Sequence, residues 1–245
     1  MANALSITEV GMLNAMEHLN FIAHNMANAS TAGFKRDIAV AQPFSDILAR
    51  GVGDMAGVRL DAQKLVATRF TDHSAGTLSY TGNRLDVAIE GDGFFVLTTP
   101  EGPLYTRRGS FTLNAAGQLS TTEGFAVNTL EGDIRLATDQ PRIDRQGAVW
   151  DGERYMGRLK IVRFDDLNRL EKRGSGLYAG GKARELSAAE DGIRVRQGYI
   201  EASNVNVMSE MVELISTMRQ IESSQKVLRG YDEMMDVAIR TISDV

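Results

Sequence analysis

Apolar side chains recur every seven residues at both ends of the chain. Leu5, Met12, Leu19 and Met26 form the first series; Val207, Leu214, Ile221, Leu228, Met235 and Ile242 form the second. Ala15, Ile22 and Ala29 follow the first series three residues on, and Met211 and Met218 accompany the second. This 3-and-4 spacing puts a narrow apolar stripe on each helix, the pattern of a coiled-coil seam more than of a globular helix face. The alternative is a helix packed on its own domain. The first helix is expected over residues 4–28. It should fail near Asn28–Gly33, where Asn28, Ser30 and Thr31 compete for backbone hydrogen bonds and Gly33 permits a positive φ. The last is expected to start near Asn204 or Asn206, either able to cap it, and to run to about Ser243. About 38 helical residues span roughly 57 Å. A body of about 160 residues has a radius of gyration of only about 15 Å. The last helix is therefore expected to extend beyond the body and to be covered by the first helix, by other chains, or by both.

The middle follows a different period. Leu85, Val87 and Ile89 alternate, Gly91–Gly93 reads as a turn, and Phe94–Thr98 as a strand. Leu104–Phe111, a turn at Asn114–Gly117, then Leu119–Thr121, Gly124–Val127, Ile134–Leu136, Ala148–Trp150 and Leu159–Phe164 continue the series. Short strands at this spacing predict a sandwich or barrel-like body. Before it, Phe44–Arg50 reads as a short helix, Gly51–Gly57 as a loop and Arg59–Thr71 as extended. The expected fold class is mixed α and β: long N- and C-terminal helices forming a coiled-coil-like domain, with a central, mostly antiparallel β body. The expected bounds are 1–36 and 201–245 for the helical domain, 37–76 for a connecting segment and 77–200 for the body.

Composition narrows the chemistry. The chain has 245 residues, a net charge of −5 and no cysteine. The acidic balance disfavours a nucleic-acid-binding stripe, and without cysteine there is no disulfide, thiolate metal site or Cys nucleophile. No run approaches the roughly 18 apolar residues of a membrane span. No Lys or Arg precedes Lys35, so a standard secretory signal is not expected. His18 and His24 are six apart and fall on different helix faces, unlike paired zinc ligands. Gly51–Gly57 misses the dinucleotide fingerprint by one residue and reads as a connector. Asp165-Asp166 reads as a solvated loop, and Arg107-Arg108 as a cross-strand charge pair rather than a nucleic-acid contact. No catalytic, cofactor-binding or metal-ligating residue is expected, and no small-molecule substrate.

The block His24–Arg36 resembles the N-terminal signature of bacterial flagellar rod and hook proteins, matching it at Asn25, Ala27, Asn28, Thr31, Gly33, Phe34 and Lys35. Glu201–Met211, with Ser203, Asn204 and Val205, is similar to that family's second signature. Gly82–Phe95 and Tyr105–Phe111 are similar to its central motifs. The matching blocks cover both ends and the middle in family order. By their local chemistry, Asn25 and Asn28 are expected to turn or cap the backbone at the helix end, and Phe34 to be an apolar anchor against the terminal helices.

The resemblance implies a non-enzymatic subunit of the flagellar basal-body rod, the periplasmic shaft that transmits torque. It implies polymerisation with copies of itself and other rod proteins, and delivery by the flagellar type III export apparatus without a cleaved signal. Length and motif wording point to a proximal-rod member rather than a distal-rod or hook-type one. The expected assembly seam is Leu5, Met12, Leu19, Ile22, Met26, Val207, Met211, Leu214, Met218, Ile221, Leu228, Met235 and Ile242. The competing class is a secreted β-rich binding or adhesion module with a coiled-coil oligomerisation helix; an enzyme ranks third.

Overall fold

The first helix, α1, spans Ala2–Ala27, and the last, α2, spans Val207–Ser243. The computed structural model describes residues 2–40, 68–181, 183–186 and 192–243. The readings of Phe44–Arg50, Gly51–Gly57 and most of Arg59–Thr71 lie outside them. The chain divides into two units. One holds α1, the strand Asp37–Val40, most of the strand Thr68–Thr71, and α2; the other holds Asn28–Arg36 and Thr71–Val205.

In the first unit Asn206 caps α2. Its side-chain oxygen accepts from the amides of Met208 and Ser209 at 3.0 and 3.2 Å. The helices pack against each other, but not as a coiled coil. The less exposed positions of α2 recur at Glu210, Leu214, Thr217, Ile221, Ser224 and Leu228, so every second seam position is polar rather than apolar. Thr217 meets the His18 ring at 3.3 Å, and His18 lies 3.6 Å from Glu213. Val207, Met211, Met218 and Met235, four of the expected seam residues, are exposed. The lengths also differ: α1 has 26 residues and α2 has 37, or about 39 and 55 Å. The expectation of long N- and C-terminal helices forming a coiled-coil-like domain is therefore corrected. Among the described residues there are two α-helices of unequal length, α1 being the short one, joined through a mixed polar and apolar face, and a predominantly β body. Heptad spacing of apolar residues is necessary for a coiled coil, but the alternate seam positions must be apolar too. On α1, Ala15, Phe21 and Ile22 are buried, while Met12, Leu19 and Met26 are half-buried. The side chains of Leu5 and Ile242 lie outside the described residues.

The second unit is built on the strand Phe94–Thr99. It pairs antiparallel with Gly102–Thr106, with Ala126–Val127 and with Ile161–Phe164. Phe95 and Leu97 face one apolar cluster with Val87, Phe111, Val149 and Val195. Phe94 and Val96 face a second, with Tyr105, Val162, Phe164 and Tyr178. Burial on both faces explains why Phe94–Leu97 is an unbroken apolar run instead of an alternating one. Val87–Glu90 does not fold back on Phe94 through the Gly91–Gly93 turn. It pairs with Arg194–Gln197 instead, and Leu78–Tyr80 pairs with Tyr199–Glu201. The hairpin at Asn114 forms as its sequence dictates: the Asn114 carboxamide oxygen accepts from Ala116 and Gln118, and Gly117 takes φ 76°. Ile134 and Leu136 are buried but belong to no strand. Among the described residues no helix is long and apolar enough to cross a membrane.

Candidate functional site

Three charged side chains from distant parts of the sequence meet inside the second unit. Lys35, Arg107 and Glu201 are 1%, 6% and 1% exposed. Lys35 Nζ donates to Glu201 Oε1 at 2.6 Å, and Arg107 Nε donates to Glu201 Oε2 at 2.8 Å. The carboxylate also accepts the Gly76 amide at 2.8 Å. The two cations are completed by carbonyls: Lys35 donates to Ser74 at 2.6 Å, and Arg107 to Gly91 at 2.8 Å and to Gly93. Every charge is thus both paired and hydrogen-bonded, the condition under which buried ions are tolerated.

The backbone is shaped to admit this cluster. Gly33 sits at φ 67°, and a Cβ there would lie 2.6 Å from the Arg108 amide nitrogen. Its own amide donates to the Glu201 carbonyl at 2.7 Å. Gly76 approaches so closely that a Cβ would lie 1.9 Å from the Ala202 carbonyl oxygen. Asn204 adds a second stitch. Its carboxamide oxygen accepts the Arg36 amide at 2.7 Å, and its nitrogen donates to the Asp72 carbonyl at 2.9 Å. Phe34 is buried with the Lys172 ammonium 4.7 Å from its ring centroid. This contact is with a residue of the β body.

The electrostatics follow from burial. Desolvation pushes the Lys35 ammonium below its ordinary range, and the charge and hydrogen bond of Glu201 oppose the shift. Burial would raise the Glu201 carboxyl, but the charges of Arg107 and Lys35 and the hydrogen bonds from Lys35 and the Gly76 amide hold it below the usual carboxylate range. His73 lies beside the cluster, 5.4 Å from the Tyr178 ring and 6.1 Å from the Phe94 ring. Burial, then the charges of Lys35 and Lys172, lower its pKa to about 4.

The first unit has its own buried polar contact. Asn25, 1% exposed, donates to the Asp37 carbonyl at 2.8 Å and accepts the Asp37 amide at 2.9 Å. One side chain thereby satisfies both backbone groups of a residue, as a paired strand would. The same Asn25 nitrogen lies 3.4 Å from Glu210 Oε2. The buried Asp37 carboxylate has His24 at 3.6 Å and Arg69 at 3.8 Å.

The remaining motif residues do local work. Thr31 closes a turn on Asn28, amide to carbonyl at 3.1 Å and hydroxyl to carboxamide oxygen at 3.3 Å. Ser203 Oγ accepts the Val205 amide at 3.2 Å. Ala27 ends α1. Sequence reading singled out Lys35 but assigned Glu201 and Arg107 no joint role. The available signal was a charged residue inside each of the three motif blocks; apolar periodicity does not report such pairs.

Two family models match the chain. One, described as flagellar basal body rod FlgEFG protein C-terminal, covers residues 196–241; the other, described as flagellar hook protein FlgE/F/G D1 domain, covers residues 88–150. Glu201 and Arg107 fall one in each. FlgG from Buchnera aphidicola subsp. Acyrthosiphon pisum is 34% identical over 96% of this chain and 98% of that protein. FlgF from Caulobacter vibrioides is 31% identical over the whole of both. FlgG from Bacillus subtilis is 32% identical over 92% of this chain and 93% of its own. These matches define the class, a structural subunit that assembles with other flagellar rod components. The chain belongs to the flagellar basal-body rod protein family, within which FlgF and FlgG are both represented among its relatives, and it is a structural subunit of the rod in the flagellar basal body.

Proposed function

We propose that this subunit occupies the proximal rod and polymerises there, with copies of itself and with other rod proteins, through α2. The observation that carries this reading is the apolar surface α2 leaves in water. Met208, Met211, Val212, Ile215 and Met218 are all exposed at helical spacing, and Val227, Met234 and Val237 continue the exposure. Contiguous apolar patches of this kind mark association surfaces. Of the expected seam, Val207, Met211, Met218 and Met235 belong to this open surface. Leu214, Ile221 and Leu228 are partly covered within the chain. The contacts are read as heterologous, so that they propagate along a shaft instead of closing a ring.

Alignment length supports the proximal position. The match to FlgF from Mesorhizobium japonicum runs over 245 positions and covers 99% of this chain and 98% of that protein. Matches to FlgG proteins of Buchnera and Agrobacterium fabrum run over 258 and 264 positions, so they accommodate insertions. The slightly higher identity to a FlgG favours the distal rod as second reading. The reading also includes delivery by the flagellar type III export apparatus, a periplasmic position, torque transmission and the absence of catalysis. The motif residues Asn25, Ala27, Asn28, Thr31, Gly33, Phe34, Lys35, Ser203, Asn204 and Val205 are read as scaffold. Their buried polar groups are hydrogen-bonded within the chain: Asn25 to Asp37, Lys35 to Ser74 and Glu201, and Asn204 to Arg36 and Asp72.

The test is Ile215→Asp in cells and in the purified chain. The isolated variant should keep its circular dichroism and melting behaviour while cells carrying it lose motility and complete basal bodies. Normal rods from this variant would remove α2 from the assembly surface. Complementation of strains lacking the proximal or the distal rod protein separates the two positions.

A further inference from the structure

A cleft of about 520 Å³ opens between the strand Arg194–Gln197 and the segment Arg142–Arg145 of the second unit. Four arginines line it, Arg142, Arg145, Arg194 and Arg196, against two carboxylates, Glu90 and Asp144. In a chain of net charge −5 this is a local inversion of sign. Both carboxylates have other work. Glu90 pairs with Arg196 at 2.8 Å, and Asp144 accepts the amides of Gln146 and Ala148 at 2.8 and 2.9 Å. Arg145 and Arg194 are exposed and form no salt bridge among the described residues.

The arginines stand on a fixed frame. Val195 is 1% exposed in the core, and its amide donates to the Arg145 carbonyl at 2.9 Å. Gln197 accepts the Ile143 amide at 3.1 Å and donates to the Pro141 carbonyl at 2.6 Å. Arg142 lies over the Trp150 ring at 5.3 Å and Arg196 over Tyr199 at 5.7 Å. Arg196 turns its Nε edge to the Glu90 carboxylate at 2.8 Å, the fork-to-carboxylate geometry that a guanidinium offers. The hydrogen bond from Arg196, with the charges of Arg196, Arg194 and Arg145, already holds the Glu90 carboxyl below its usual range.

We propose that this cleft binds a carboxylate-rich segment of a neighbouring rod subunit. Charge complementarity carries the choice of occupant: the surplus of the cleft is positive, its one internal pair is with a carboxylate, and this acidic chain is itself of the kind that would supply the partner. The identity of the partner as a rod subunit rests on the family. The binding chemistry does not, and it is measured without any assembled rod.

Trp150 is the only tryptophan of the chain, so its fluorescence reports on the Arg142 wall. The full-length protein is titrated with penta-glutamate, penta-lysine, inorganic phosphate, pyrophosphate and a short single-stranded DNA at one ionic strength. Penta-glutamate should give a saturable change and penta-lysine none. Arg145→Ala/Arg194→Ala should weaken binding by about tenfold. Arg145→Lys/Arg194→Lys should retain part of it, and Arg173→Ala, outside the cleft, all of it. No saturation with penta-glutamate, or equal binding by the double alanine variant, overturns the site. Tighter binding of pyrophosphate or DNA than of penta-glutamate overturns the proposed occupant.

Discussion

Lys35 and Glu201 stand 166 positions apart in the sequence and 2.6 Å apart in the fold, each 1% exposed. Breaking a buried pair by removing one partner costs about 3–5 kcal/mol, because the other charge is left uncompensated. Glu201→Gln leaves both Lys35 and Arg107 in that state. It should destabilise the body by about 3 kcal/mol or more in urea unfolding. Lys35→Met should cost less, since Glu201 keeps Arg107 and the Gly76 amide. The opposite order of the two variants would show that Glu201 does not organise the cluster.

His73 should make stability fall with acid. Its folded pKa of about 4 lies below the ordinary 6.5, so the unfolded chain takes up a proton first as pH drops. The stabilising contribution is whole above about pH 6.5 and is lost as pH falls toward 4. Glu201 adds to the same trend at lower pH, since a depressed carboxyl loses its contribution as it protonates. His73→Phe should flatten the melting temperature between pH 6.5 and 4. A His73 NMR titration midpoint near 6.5 would count against this.

Asn25→Asp should loosen the first unit. The carboxylate cannot donate to the Asp37 carbonyl and brings a charge beside Glu210 and Asp37. An unsatisfied buried group costs about 1–3 kcal/mol. The melting temperature of the variant should fall relative to the wild type; an unchanged one would mean that the Asn25–Asp37 pairing is not what holds that strand.

Gly33→Ala and Gly124→Ala separate crowding from backbone strain. Both glycines have positive φ, 67° and 90°, but a Cβ at Gly124 meets nothing within 4 Å, whereas one at Gly33 meets the Arg107–Arg108 backbone. Gly124→Ala should cost about 1–2 kcal/mol from the left-handed conformation alone. Gly33→Ala should cost clearly more and disturb the Arg107 resonances. Equal costs would show that the Arg107–Arg108 backbone yields freely.

Much of the local structure was legible because it depends on near neighbours. Asn206 starts α2 with its own side chain, and the Asn114–Gly117 turn is closed by Asn114. The apolar run Phe94–Leu97 announced a strand, though its burial on both faces did not follow from it.

By itself, the sequence determined the positions of the two helices, the turn chemistry and the family, because these are written in short-range spacing and in motif blocks. Tertiary structure alone decided which motif residues meet. Lys35, Arg107 and Glu201 become a clamp only when strand pairing of Tyr199–Glu201 with Leu78–Tyr80 delivers the carboxylate. It also decided against the coiled coil. The apolar heptads at Leu214, Ile221 and Leu228 alternate with Glu210, Thr217 and Ser224, which face inward as well. A period marks which residues share a face of a helix; what that face meets depends on groups the period does not count.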